Sequence, residues 1–494
     1  MISSFSAPFA RRRDAGRGGA GRRGTGRLGV RLAARVAAAA LVSGLAAVGV
    51  VAGAGTAVAA DGGARGQGGA TATIGGLKTY GAAVVHTEGE GDQEISAGLF
   101  EMSVEGGGTL QTYCVDLYNP TQKDARYEET PWSGTSLGAN KDAGRVGWIL
   151  QNSYPQVNDL ASLARKAGIT GPFTEQDAAA GTQVAIWRYS DAADVNAVDP
   201  QAEQLADYLQ KAAKSTPEPA ASLTLDPAAV SGRPGEPLGP VTVRTGASAV
   251  TVTPPMDAAT SGVRIVDENG TPVTTARNGS RLYFDVPADA EAGTAELTVR
   301  GSTTVPVGRA FTADSRSQTQ ILAGSSESTV SATAGVTWAP QGAVPALSAE
   351  KDCAANGLGI SASNPGDEDF VFELMGTEYT IPAGDSRTVT IPLQEDQAYD
   401  FTITGPQGAA YRFTGVLDCR TQAAEARDLT TQTLSEPSPA TVGGTSSSDT
   451  NLAETGGSSV TPIIAGTAIG LVTIGGATLL LVGRKEQAGR AGRD

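Results

Sequence analysis

Leu110-Gln-Thr-Tyr-Cys-Val-Asp-Leu-Tyr118 decides how this chain is read. Its alternation is that of a strand: Tyr113, Val115 and Leu117 make an apolar face, and Cys114 stands on the other face with Thr112 and Asp116. Gly106-Gly-Gly108 turns the chain just before it, and Ala97-Gly-Leu-Phe-Glu-Met-Ser-Val104 supplies a preceding strand. Downstream, Thr174-Glu-Gln-Asp177 offers an N-cap with an acidic residue three positions on, the start of a helix over 174–189. In that helix Gln183 shares a face with Ala179, Ala180, Ile186 and Trp187, the face that packs inward. A buried amide left unpaired costs about 1–3 kcal/mol, so Gln183 needs a partner, and the two alanines leave room for a strand to approach. With further helices at 142–153, 157–167 and 201–213, residues 73–215 form an α+β head domain.

Three cysteines leave one over. Cys353 and Cys419 open and close one strand-rich segment, which makes them the disulfide pair. Cys114 is then the odd thiol, and in an oxidising compartment such a thiol needs a use. If Cys114 meets Gln183, the sulfur attacks the side-chain carbonyl, expels ammonia and leaves an internal acyl thioester. That bond lasts only where water is excluded, and Tyr113, Trp187 and Tyr189 are the candidate shield. The competing reading is plain: a buried cysteine that behaves as a small hydrophobe, beside a glutamine bonded to backbone.

The ends of the chain supply the compartment. Residues 1–60 carry nine arginines against one acidic residue, then an uncharged run from Val36 to Val51 and the small-residue site Ala57-Val-Ala59. This order is a secretory signal with a long basic region, cleaved after Ala59 or Ala60. At the other end the pentapeptide Leu452, Ala453, Glu454, Thr455, Gly456 precedes an uncharged stretch, 461–482, long enough to cross a bilayer, and Arg484 and Lys485 follow it. Residues 452–494 resemble a sortase sorting signal of the Leu-Ala-x-Thr-Gly type, with Glu454 at the variable position. By that resemblance a sortase cuts between Thr455 and Gly456 and joins Thr455 to a peptidoglycan amine. The precursor is held in the membrane only until then.

Between the ends the pattern is mostly β. Runs such as Val241-Thr-Val-Arg, Val250-Thr-Val-Thr and Arg281-Leu-Tyr-Phe-Asp-Val make 221–342 a β-sandwich spacer. Phe370-Val-Phe-Glu-Leu, Arg387-Thr-Val-Thr-Ile and Tyr411-Arg-Phe-Thr belong to a second all-β unit, 348–422, tied by the disulfide. Residues 423–451, rich in Ser, Thr, Pro and Gly, read as an extended, disordered stalk. The fold class is therefore multidomain: an α+β head, two all-β sandwich-like units, a stalk and a membrane-spanning sorting signal.

Residues 61–455 hold 24 basic and 49 acidic side chains, a net charge of −25 that argues against nucleic-acid partners. His86 is the only histidine, which excludes a metal site built on several imidazoles and leaves no second imidazole to serve a turnover enzyme. No metal or cofactor is expected. No lysine lies between Lys214 and Lys351, so the sandwich cannot hold a lysine isopeptide link of its own.

Tyr113-Cys-Val-Asp116 and Thr182-Gln-Val-Ala-Ile-Trp187, with Val146-Gly-Trp-Ile-Leu150 and Tyr154-Pro155 between them, resemble the motifs of the thioester domains of Gram-positive surface proteins. That resemblance covers about 140 residues of the head. It implies a Cys114–Gln183 thioester and a covalent adhesin, not an enzyme, that captures an amine-bearing target, typically through lysine, in one acyl transfer. The export signal and the resemblance to a sorting signal imply secretion and attachment to the cell wall. The alternative class is a wall-anchored structural or binding protein whose Cys114 is inert.

Overall fold

The computed structural model describes residues 68–87 and 91–420. The export signal over 1–60 and the 423–451 stalk lie outside the described residues. So does the sorting signal, with Leu452, Ala453, Glu454, Thr455 and Gly456 and the apolar stretch after them. No helix among the described residues is long and apolar enough to cross a membrane.

The head is built on one long strand. β1, Thr71–Thr87, pairs antiparallel with β2, Gly91–Val104, along its whole length. β3, Thr109–Cys114, follows the three-glycine turn and pairs with β2. β4, Arg126–Thr130, pairs with the start of β1, and β5, Val195–Ala197, with its far half. Four helices of two or more turns, Ala143–Asn152, Leu160–Ala167, Glu175–Ser190 and Pro200–Ala212, cover this sheet. Glu175–Ser190 opens with the capping box that Thr174 and Asp177 make by exchanging hydrogen bonds. It packs on β1 and β2 on one side and on Pro200–Ala212 on the other. That second crossing explains Gly181: a Cβ there would stand 2.3 Å from the Ala202 carbonyl oxygen.

The middle unit is a sandwich of two sheets. One runs β10 (Arg264–Val266), β12 (Arg281–Asp285), β8 (Pro237–Thr245), β6 (Leu223–Asp226). The other runs β11 (Thr275–Ala276), β9 (Val250–Thr253), β13 (Gly293–Thr304), β16 (Glu327–Trp338), β7 (Ala229–Gly232). The sequence places all of 221–342 in this spacer, and the structure corrects that boundary. β14 (Ala310–Ala313) and β15 (Gln320–Ser325) leave the sandwich and join the head, with β14 paired to β4 and β15 to β3. The head sheet therefore runs β2-β3-β15-β14-β4-β1-β5, and the β1–β2 pairing closes six of these strands into a ring. The chain leaves the sandwich for β14 and β15 and re-enters it with β16, so head and sandwich are interleaved, and one continuous core runs through both. Both returning strands are short and almost wholly buried. Such runs carry no in-out alternation to say which sheet they enter.

The third unit has its own core. Ala346–Asp352, Gly357–Ser363 and Ser386–Pro392 form a three-stranded sheet, and two hairpins, Phe370–Leu374 with Thr377–Ile381 and Ala398–Thr404 with Ala410–Val416, complete it. Cys353 and Cys419 are joined in a disulfide across a sequence separation of 66. On the chain-entropy view a loop of that length stabilises by about 4 kcal/mol, a large share for so small a core. The Cys353→Ser/Cys419→Ser protein is expected to lose most of that, read as a separate, lower melting transition of this unit.

Candidate functional site

Cys114 ends β3 with its side chain pointing into the closed ring, together with Leu110 and Thr112. The polar-looking face of this strand is thus an inner face, and Thr112 and Cys114 are essentially unexposed. The pairing of β3 with β2 ends at Thr112, whose partner is Phe100, so the backbone N–H and C=O of Cys114 pair with no strand on that side. Gln183 replaces it. Its Oε1 accepts from the Cys114 N–H at 3.0 Å and its Nε2 donates to the Cys114 carbonyl at 2.9 Å. A helix side chain thus closes the ladder as a strand neighbour would.

This geometry places the Gln183 amide against the Cys114 backbone. The expected meeting of Cys114 and Gln183 is real, but it is made through backbone, the arrangement that competes with a Cys114–Gln183 thioester.

The sulfur faces β15. Cys114 and Gln320 are directly opposed in the antiparallel register. Because Cys114 directs both backbone groups to Gln183, that opposition is of the non-hydrogen-bonded kind, in which the side chains stand closest. Gln318, two residues earlier, projects to the same side. Its Oε1 lies 2.6 Å from Cys114 Sγ, and its Nε2 donates to the Asp116 carbonyl at 2.5 Å. A separation of 2.6 Å is too short for a sulfur and an oxygen that merely touch. The thiol donates to that oxygen, which makes the Gln318 carbonyl the polar group that approaches the sulfur most closely among the described residues. Gln320 Nε2 is 3.4 Å from the same sulfur and 3.4 Å from Gln318 Oε1, and Thr121 Oγ1 donates to that oxygen at 2.5 Å.

The surroundings are dry and acidic. Burial pushes the Cys114 thiol well up, Gln320 pulls it part of the way back, and Asp116 raises it further. Asp116 is itself raised well above the carboxylate range by burial and then by Asp418 and Asp191, and its Oδ1 has no hydrogen-bond partner among the described residues. Burial takes Asp191 up to about 7, against the pull of Ser190 and the Leu117 N–H. Asp418, also at about 7, belongs to the third unit and approaches Thr319 Oγ1 at 3.5 Å. The third unit touches the head nearby through Arg316 on the Asp396 carbonyl and the Cys353 N–H on the Ser133 carbonyl.

The expected shield is distributed differently. Tyr113 is fully buried, but its hydroxyl donates to the Tyr154 carbonyl. Tyr189 donates to the Gln210 carbonyl and lies under the Arg145 guanidinium. Trp187 is buried, with its indole N–H unpartnered among the described residues. Tyr127 is also fully buried, and its hydroxyl bonds Ser317 and the Gln318 carbonyl. The His86 ring is bonded to Asp92 and Asn196 instead of the sulfur. Glu395, Asp396 and Asp418 form the one group of metal-ligating side chains among the described residues, and Glu395 is already occupied by the backbone N–H groups of Cys419 and Arg420.

Gln318 and Gln320 are the residues beside the Cys114 sulfur that sequence reasoning misses. Their signal is Ser317-Gln-Thr-Gln-Ile-Leu322, two amides at alternate positions leading into an apolar strand. It goes unnoticed because the segment reads as part of the spacer.

Residues 345–416 match the family described as the C-terminal domain of bacterial phospholipase C. No curated protein matches the chain. Among solved structures it is similar to the TIE protein of Bacillus anthracis, at 17% identity and a TM-score of 0.25 over 70% of this chain and 63% of that one. It is also similar to the thioester domain of the Enterococcus faecium TIE86 protein, at 16% identity and a TM-score of 0.26 over 55% of this chain and 97% of that one. This chain therefore spans less than two thirds of the Bacillus anthracis protein. Residues 111–215, which hold Cys114 and Gln183 but neither Gln318 nor Gln320, match the thioester domain family. Over that stretch the chain is similar to thioester domains.

Proposed function

We propose that Cys114 and Gln318 form an internal thioester, and that the protein uses it once to capture an amine-bearing target covalently. The observation that carries this is the 2.6 Å approach of Cys114 Sγ to Gln318 Oε1 in a closed, buried ring. In formation, Sγ attacks Cδ of Gln318. The Sγ–Cδ bond forms, the Cδ–Nε2 bond breaks, and the thiol proton leaves with the nitrogen as ammonia. In capture, an amine attacks the same carbon, an amide forms, and Cys114 recovers its proton as a free thiol.

The Asp116 carbonyl, which holds Gln318 Nε2, marks where the departing nitrogen sits and, by reversal, where the entering one is received. The Asp116 carboxyl is a neighbouring titratable group with a raised affinity for protons, suited to pass one between sulfur and nitrogen. Lysine is the fitting target amine, and the acidic exported surface attracts it.

The same reading makes the protein a secreted adhesin without turnover. After export a sortase reads Leu452, Ala453, Glu454, Thr455 and Gly456 and attaches Thr455 to peptidoglycan, with the folded units presenting the reactive head beyond the stalk. The test is the intact mass of the exported chain beside its Cys114→Ala variant. The parent is expected to be lighter by about 17 Da, the mass of ammonia, and to gain methylamine when treated with it, while the variant does neither. A full parent mass that methylamine leaves unchanged would reject the thioester and leave an inert buried cysteine.

A further inference from the structure

Acyl transfer at a carbonyl carbon puts negative charge on the carbonyl oxygen before the leaving group departs. A donor aimed at that oxygen in a water-free site lowers the barrier more than the same donor in water. Two donors meet the condition. Thr121, in the segment that follows β3, directs its hydroxyl at Gln318 Oε1 at 2.5 Å. Gln320, on β15, places Nε2 at 3.4 Å from that oxygen and 3.4 Å from Cys114 Sγ. The Gln320 amide is held in that sense, because the Thr112 hydroxyl donates to its Oε1 at 2.9 Å and so turns Nε2 toward the reacting atoms. Thr112, Thr121 and Gln320 are all buried, so water does not compete for these groups.

We propose that the Thr121 hydroxyl and the Gln320 amide are the oxyanion-stabilising pair for both formation and opening of the thioester, and that Gln320 also receives the sulfur as it leaves. The inference rests on Gln318 being the acyl group. In capture, the amine nitrogen bonds to Cδ and the carbonyl π pair moves onto Oε1, where Thr121 and Gln320 donate to it. The pair then returns, the Cδ–Sγ bond breaks, and the sulfur takes up the proton that the nitrogen gives. The two hydrogens of Gln320 Nε2 serve the two atoms that bear charge in succession, oxygen first and sulfur second. Thr121 lies inside the stretch that matches the thioester domain and Gln320 far beyond it, so the chain must leave the sandwich and rejoin the head sheet to complete the site.

The test is the rate of methylamine addition to the whole protein, followed by intact mass, for the parent and for Thr121→Val and Thr121→Ser. Valine keeps the shape and removes the donor, and the rate is expected to fall about 100-fold, while serine restores most of it. A folded Thr121→Val protein that never loses ammonia, beside a Thr121→Ser protein that does, supports the proposal equally, since formation passes through the same charged oxygen. A parent with the mass deficit and a Thr121→Val protein that reacts at the parent's rate would overturn the pair and leave the thioester standing. A parent without the deficit would remove the thioester and this inference with it. Gln320→Met, read in the same way, decides the question if Thr121→Val does not fold.

Discussion

Gln318→Ala is expected to give a folded protein of full mass that methylamine does not modify. The Gln183→Ala protein is expected to keep the mass deficit of about 17 Da in whatever fraction folds. The two results have opposite physical origins. Gln318 brings the carbonyl that the sulfur touches, so its loss removes the electrophile, and Gln320 turns its nitrogen, not its carbonyl, toward Cys114. The other partners of Gln318 are the Thr121 hydroxyl and the Asp116 carbonyl, and the residue sits before β15 begins, so the ladder with β3 survives.

Gln183 contributes differently. Its two hydrogen bonds satisfy the N–H and C=O at the end of β3, and truncation leaves both buried without partners. At about 1–3 kcal/mol for each group, the Gln183→Ala protein should be destabilised by several kcal/mol, visible as a lower urea midpoint. Were Gln183 the acyl donor, the masses would be exchanged: the Gln183 variant would lack the deficit and the Gln318 variant would keep it.

The legible and illegible parts of this chain divide along one line. Whatever depends on local periodicity can be read. Glu175–Ser190 announces itself through its capping box and its inward face, and Cys353 with Cys419 through their places at the ends of one strand-rich segment. The inner position of Cys114 is half legible: the odd cysteine draws attention to it, yet its face looks polar and outward because the ring it points into is lined by Thr112, Gln320 and Tyr127. The partner of the sulfur is not legible from patterning. Gln318 is 204 residues from Cys114, beyond most of the sandwich strands, and only the register of β15 on β3 brings the two together. The helix glutamine attracts the assignment because a buried amide in an apolar face demands a partner. It has one, in backbone.

The return of the chain from the sandwich is held by a buried charge, and removing that charge is the second large effect expected. Glu129 on β4 has no exposed side-chain surface and Arg309, just before β14, has almost none; their Oε1–Nε distance is 2.9 Å. Glu129 also accepts from the Ala70 N–H at 3.2 Å, the Ser222 N–H at 2.9 Å and the Ser222 hydroxyl. Arg309 reaches Glu218, which in turn accepts from the Trp132 N–H. One carboxylate thus joins the segment leading into β1, strand β4, the first entry to the sandwich and the crossing back to the head sheet.

Glu129→Leu leaves the guanidinium buried without its main partner and three further donors unpaired. A loss of about 3–5 kcal/mol is expected, read as a shift of the urea midpoint. Replacing both partners, Glu129→Leu with Arg309→Met, removes the stranded charge and should recover a good part of that loss. The same variants report on the site. β14 and β15 carry Gln320 and position Gln318, so a loosened exit should lower the fraction of molecules with the mass deficit in Glu129→Leu and restore it in the double variant. A Glu129→Leu protein within about 1 kcal/mol of the parent would mean that the carboxylate's Coulomb gain merely balances its desolvation, and that the β3–β15 ladder alone sets the register. A destabilised protein with an unchanged deficit would separate the two roles, the ion pair securing the fold and the strand pairing securing the chemistry.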